Sequence, residues 1–159
     1  MICPAEHPKV EDGWADVVLC LSGLEHVDDP AQVVRELLRV AKTDGVVFAS
    51  THGSFPWHPY PQDHWRWTQT GLPLLFIKYG SLSSVDIHAT RGTISGIFFV
   101  LAHILYSRLG RTPLRRSIRK PVIMAASRLG EYLDKKMPDL KDIATHVTAI
   151  PEFFIIARK

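Results

Sequence analysis

Two short stretches hold most of the residues whose types suit chemistry. In the first, the apolar residues 17–21 run through Ser22, Gly23 and Leu24 into Glu25 and His26, with Asp28 and Asp29 close behind. In the second, "THGSFPWHPYPQDHWRWTQT" (residues 51–70), His52, His58 and His64 stand six residues apart. Asp63 and Arg66 accompany them, with Trp57, Tyr60, Trp65 and Trp67 interleaved. A neutral histidine can take a proton near pH 7, or orient a hydroxyl or amine. A solvated turn ahead of a helix is the alternative reading of Glu25 and His26. Imidazole and carboxylate together also suit zinc or iron. The six-residue spacings match no standard metal pattern, and one helix face could not enforce them, so no metal is expected. Asp63 and Arg66 are expected to pair and pin the loop. A packed aromatic loop without a ligand is the plainer alternative.

The elements around these stretches explain how they would meet. Asp16 opens a continuous apolar run, as in a strand covered on both faces of a parallel sheet. Asp29 is a good N-cap, with Pro30 at the first helical position and Gln32 three residues on; Asp28 is also assigned to capping. Val33, Val34, Leu37, Leu38 and Ala41 recur at helical spacing, with Gln32, Arg35, Glu36 and Arg39 on the other face. Residues 46–49 then make a second apolar strand. Strand, helix and strand in this order predict a βαβ unit. Parallel strands send both exits to one sheet edge, so the two polar stretches should face each other across a cleft.

Further along, Thr70 is expected to cap a short helix ending at Gly80, and residues 84–89 alternate as a strand with one wetter face. Residues 94–136 read as two helices, the first apolar nearly all round and the second kinked at Pro121. "GIFFVLAHILY" is too short to span a bilayer and carries His103, so a buried or interfacial helix is expected. "RLGRTPLRRSIRK" has six basic and no acidic residues. A solvated helix face is the first reading, and peripheral contact with an anionic membrane the second. Nucleic acid is disfavoured, because no stacking aromatics interleave with the charges.

At 159 residues, with 46% hydrophobic and 22% charged residues, the chain suits one domain with a real core. A net charge of +3 does not by itself argue for nucleic acid. Cys3 and Cys20 make no disulfide framework, so a reduced, cytoplasmic setting is expected.

"GWADVVLCLSGLEHVDDPAQVVRELLRVAKTDGVVFASTHG" resembles the second half of class I S-adenosylmethionine-dependent methyltransferases of the type 11 kind. In that family an aspartate opens the fourth strand, "LEHV" follows it, and E-x-x-R-V-L-K-P-G-G leads into the fifth. Glu36, Arg39, Val40, Lys42 and Gly45 fall on this pattern, with Thr43 and Asp44 replacing its Pro-Gly. "HPYPQDHWRWTQTGL" is similar to a segment that follows the fifth strand in a subgroup, and "FFIIARK" to the closing antiparallel strand. The resemblance implies an α/β, Rossmann-like partial sheet, strands four to seven, in a single domain 1–159 with a helical insertion at 94–136. It implies S-adenosylmethionine beside Leu21, Ser22, Gly23 and Glu25, and His26 as the catalytic base. It also implies a small-molecule acceptor among His52, Trp57, His58, Tyr60, Asp63 and Arg66. The family holds its cofactor chiefly through a glycine-rich loop after the first strand. This chain starts just before the fourth, so a truncated or split form, inactive alone, is expected. The alternative is a non-catalytic interaction module that needs a partner chain or homodimer to cover its exposed sheet edge.

Overall fold

The computed structural model describes residues 5–58, 62–108, 113–137 and 150–159, without the side chains of 113–116 and 119–120. Among the described residues eight elements follow in order: β1 (Ala15–Leu21), α1 (Pro30–Val40), β2 (Ala41–His52), α2 (Gly71–Tyr79), β3 (Ser84–Ala89), α3 (Thr93–Arg108), α4 (Pro113–Lys136) and β4 (Glu152–Arg158). The four strands form one mixed sheet in the order β1-β2-β4-β3. β1 runs parallel to β2, and the closing strand β4 runs antiparallel to β2.

The βαβ unit forms for the reasons its residues supply. Asp29 Oδ1 accepts the Gln32 N–H at 3.0 Å, satisfying a first-turn donor, and Pro30 takes the first helical position. Asp28 does not share this task; it is exposed and lies 3.5 Å from His64 Nε2. At the other end of α1, Lys159 Nζ donates to the carbonyls of Leu38 and Ala41. A cation thus meets the negative end of the helix dipole. Val33, Val34 and Leu38 are buried with Val47, Ala49, Ile155 and Ala157 of the sheet. Each Val, Leu or Ile side chain among them contributes about 1.5–3 kcal/mol by leaving water.

β2 begins earlier than its apolar run, and the register with β1 jumps from Ala15–Ala41 to Val17–Val46. A Cβ on Gly45 would stand 2.9 Å from both the Lys42 nitrogen and its carbonyl oxygen, so this bulge requires glycine. α2 starts at Gly71, whose N–H is accepted by Thr68 Oγ1 at 2.9 Å; Thr70 makes no side-chain cap. Thr68 therefore does the capping expected of Thr70.

The expectation that β1 is covered on both faces is corrected. Val17, Leu19 and Leu21 are 55–63% exposed, while Val18 and Cys20 on the other face are half-buried. β1 is an edge strand, and side chains alternate between faces, so one unbroken apolar run serves two different surroundings.

The chain divides into two compact units. One comprises residues 1–53, 57–88 and 152–159; the other comprises 54–56 and 89–151. In the second, α3 and α4 pack together through small residues. A Cβ on Gly130 would stand 2.4 Å from the Ser95 Cα. Ser95, Gly96 and Ala102 are buried while Leu101 and Leu105 are each 58% exposed. The apolar α3 is therefore not a wholly buried helix. α4 continues through Pro121. Among the described residues no helix is long and apolar enough to cross a membrane.

Candidate functional site

Both chain exits lie at the same end of β1 and β2, and backbone hydrogen bonds tie them together. The His64 and Trp65 N–H groups donate to the Glu25 carbonyl at 2.8 and 3.3 Å. Trp65 Nε1 donates to the Val27 carbonyl at 2.8 Å, and His26 Nδ1 lies 2.7 Å from the Gln62 carbonyl. Trp67 N–H donates to the His52 carbonyl at 3.0 Å. The two stretches thus face each other, as parallel strand exits require.

The turn leaving β1 is tight. Ser22 has φ 47°, a left-handed conformation uncommon for a non-glycine residue. Its N–H is held by Ser50 through both the carbonyl and Oγ, each at 3.0 Å. A Cβ on Gly23 would stand 3.2 Å from Cys20 Sγ, so a side chain there would crowd the thiol. Leu21 and Ser22 are exposed and Gly23 half-buried. Ser22 Oγ lies 3.5 Å from Glu152 Oε1 on β4.

Glu25 is the principal correction to the sequence-based site. Its side chain is fully enclosed, so the carboxylate does not line an open cofactor cleft. Oε2 accepts from Thr51 Oγ1 at 2.8 Å; Oε1 lies 3.4 Å from His52 Nδ1 and 3.8 Å from His26 Nε2. The carboxylate organises the site from beneath. Thr51, which no sequence signal singled out, is its hydrogen-bond donor. The contact joins residues 26 apart in sequence, so no local pattern announces it.

His26 is oriented by its partner. A carbonyl only accepts, so Nδ1 carries the proton towards Gln62 and Nε2 carries the lone pair in the neutral ring. The His26 and His58 rings have centroids 5.0 Å apart; those of His52 and His58 are 5.2 Å apart. Burial holds His52 below the ordinary histidine range, opposed by the Glu25 carboxylate and assisted by His58 and Arg66.

Asp63 and Arg66 pair as expected, through two hydrogen bonds of 2.6 and 2.5 Å. Asp63 Oδ2 also accepts the His58 N–H at 3.0 Å. The Arg66 guanidinium holds the Asp63 carboxyl well below the usual carboxylate range. The pair fixes the return of the loop, and the enclosed Asp63 side chain presents no open surface to an acceptor. Trp57, by contrast, is 71% exposed. Trp65 and Trp67 stack with centroids 6.1 Å apart. Tyr60 lies outside the described residues.

Comparison with known proteins agrees with the fold. Residues 1–49 match the methyltransferase domain family. The ubiquinone biosynthesis O-methyltransferase of Sodalis glossinidius is 50% identical over 46 residues, 29% of this chain and 18% of that protein. Over that stretch the chain is similar to part of a methyltransferase domain. The fold likeness extends further than the sequence likeness. A SAM-dependent methyltransferase from Thermotoga maritima superposes with TM-score 0.55 at 12% identity, over 98% of this chain and 61% of its own. Phosphoethanolamine N-methyltransferase 2 from Haemonchus contortus, solved with S-adenosyl-L-methionine, gives 0.56 at 11% identity, over 99% and 36%. At such identities the likeness establishes the fold. The four-strand mixed sheet and its helices thus correspond to part of the methyltransferase fold, and the chain spans less than two thirds of these relatives.

Proposed function

We propose that this chain supplies one wall of a site for S-adenosylmethionine-dependent methyl transfer to a small-molecule acceptor. The observation that carries the reading is His26, held by the Gln62 carbonyl with Nε2 turned towards the Glu25 carboxylate. The residues of the β1 turn fit the amino-acid end of the cofactor. Exposed backbone at Leu21 and Ser22 lies with the Glu152 carboxylate nearby, and carbonyl and carboxylate oxygens are acceptors suited to an ammonium group. S-adenosylmethionine supplies a methyl carbon on a sulfonium, which is already a good leaving group. The protein then needs mainly to align the acceptor and exclude water. In this reading His26 Nε2 takes the proton that the acceptor's hydroxyl or amine loses. Glu25 faces the imidazolium so formed. Glu25, Asp63 and Arg66 set positions, while His52, His58 and Trp57 stand on the acceptor side.

Calorimetric titration of the purified chain with S-adenosylmethionine tests this. Saturable binding in the micromolar range is expected, weakened at least about tenfold by Leu21→Asp. No heat of binding, or a Leu21→Asp variant that binds equally well, would overturn it.

The exposed row of Val17, Leu19 and Leu21 favours a second reading. Here β1 is the docking edge of a non-catalytic module, covered by a partner chain that adds a strand to the sheet. Micromolar binding of S-adenosylmethionine by the chain alone would defeat this reading.

A further inference from the structure

The cluster beneath the two loops contains more ligand atoms than proton transfer by His26 uses. His52, His58 and Asp63 each offer one nitrogen or oxygen, and these three atoms lie within 4.8 Å of one another. The loop geometry makes this possible. Asp63 accepts the His58 N–H, so the chain between them returns the carboxylate to the histidine. The linear spacing of the residues carries no sign of it.

A second observation points the same way. Glu25 is fully buried, and among the described residues no hydrogen bond reaches its Oε1, which is directed between His52 and His26. A buried carboxylate oxygen in that state is costly unless positive charge compensates it. Ligand atoms around one tetrahedral zinc, each at about 2.1 Å, stand about 3.4 Å apart. The atoms of His52, His58 and Asp63, within 4.8 Å of one another, would draw together on an ion, and Glu25 Oε1 adjoins the group at 3.4 Å from His52 Nδ1. Arg66 counts against a cation, since it occupies both oxygens of Asp63. With neutral histidines, however, Glu25 and Asp63 outweigh Arg66 by one negative charge. Asp63 Oδ1, with Arg66 Nη1 bound to it, retains a second lone pair.

We propose that His52, His58 and Asp63 bind a divalent transition-metal ion of the zinc class, with Glu25 as the adjoining carboxylate. Two imidazoles and a carboxylate select zinc, cobalt or ferrous ions over magnesium and calcium. The site stands on ligand geometry and does not depend on methyl transfer.

Cobalt(II), a spectroscopic substitute for zinc, provides the test. The full chain, stripped with a chelator, is titrated while its visible absorption is followed. One cobalt ion per chain should bind, giving the bands of a four- or five-coordinate site, and zinc should displace it. His52→Ala and His58→Ala should each weaken binding at least about tenfold. His88→Ala, on the exposed face of β3, should leave it unchanged. Zinc should raise the melting temperature of the parent but not of His58→Ala. If circular dichroism shows His52→Ala to be unfolded, the loop variant His58→Gln decides. No saturable spectrum at roughly 0.1 mM cobalt, or equal affinity and spectrum in the His58 variants, would overturn the proposal.

Discussion

At the scale of single residues, position on a strand decides reactivity more than residue type does. Cys20 sits on the half-buried face of β1, and burial, with the Glu25 carboxylate, pushes its thiol up to about 11. The unfolded thiol ionises near 9.0, so the folded state keeps a proton that the unfolded state loses. Stability from this group is complete below pH 9, and it falls as pH rises towards 11. Alkylation by iodoacetamide of a Cys3→Ser variant at pH 8.5 should therefore be roughly tenfold slower folded than in urea. That figure allows for the greater nucleophilicity of a more basic thiolate. Equal rates in the two states would show that Cys20 is open to solvent. The placement of Cys20 was legible, since it lies within an apolar run. The enclosure of Glu25 was not. Its burial depends on Thr51 and on the loop backbone at His64 and Trp65, all more than 25 residues away, and no local pattern encodes such contacts.

At the scale of elements, helix termini show where local signals end. Asp29 caps α1 from within its own sequence, and the residue pattern announced it. At the N-terminus of α3 a cap comes from a distance: Asp134, near the end of α4, supplies it across the helix pair. Its Oδ1 accepts the Ile94 N–H at 3.0 Å and its Oδ2 the Ser95 N–H at 3.1 Å. Gly92 leaves room for this carboxylate, because a Cβ there would overlap it. Asp134 is only 4% exposed, so the bonds act with little competition from water. Asp134→Ala should cost about 1–2 kcal/mol in urea unfolding, as other lost caps do. Asp134→Asn, which keeps one acceptor, should recover part of that loss. A loss below about 0.5 kcal/mol in Asp134→Ala would mean that α3 is held by the Gly130–Ser95 contact rather than by its cap. The helical character of residues 94–136 was visible in the sequence. Which residue caps α3 was not, because the cap is 40 residues from Ile94.

At the scale of the whole molecule, the sheet ends in a strand whose exposed face is apolar. Val17, Leu19 and Leu21 project on that face, and Trp14 just before the strand is 67% exposed. Solitary exposed apolar residues are ordinary; a row of them along an edge strand is not. Among the described residues the order β1-β2-β4-β3 leaves β1 with a neighbour on one side only. Its unpaired backbone groups and apolar side chains thus favour the same event, addition of another strand. Such an interface would gain about 25 cal/mol for each Å² of apolar area removed from water. The same order explains how far the sequence could be read. The parallel β1–β2 pair follows from the βαβ pattern, but the exposure of one β1 face depends on what lies beside the sheet. Leu19→Lys puts a charge in the middle of the row and leaves the Val18–Cys20 face intact. Light scattering on the parent chain should show mass rising with concentration in the micromolar range, together with binding of an apolar dye. The variant should remain monomeric, bind less dye and unfold at nearly the parent's urea midpoint. A parent that stays monomeric, or a variant that associates equally well, would place the association surface elsewhere. A variant with a markedly lower midpoint would instead mean that Leu19 supports the fold itself. Its 63% exposure argues against that outcome.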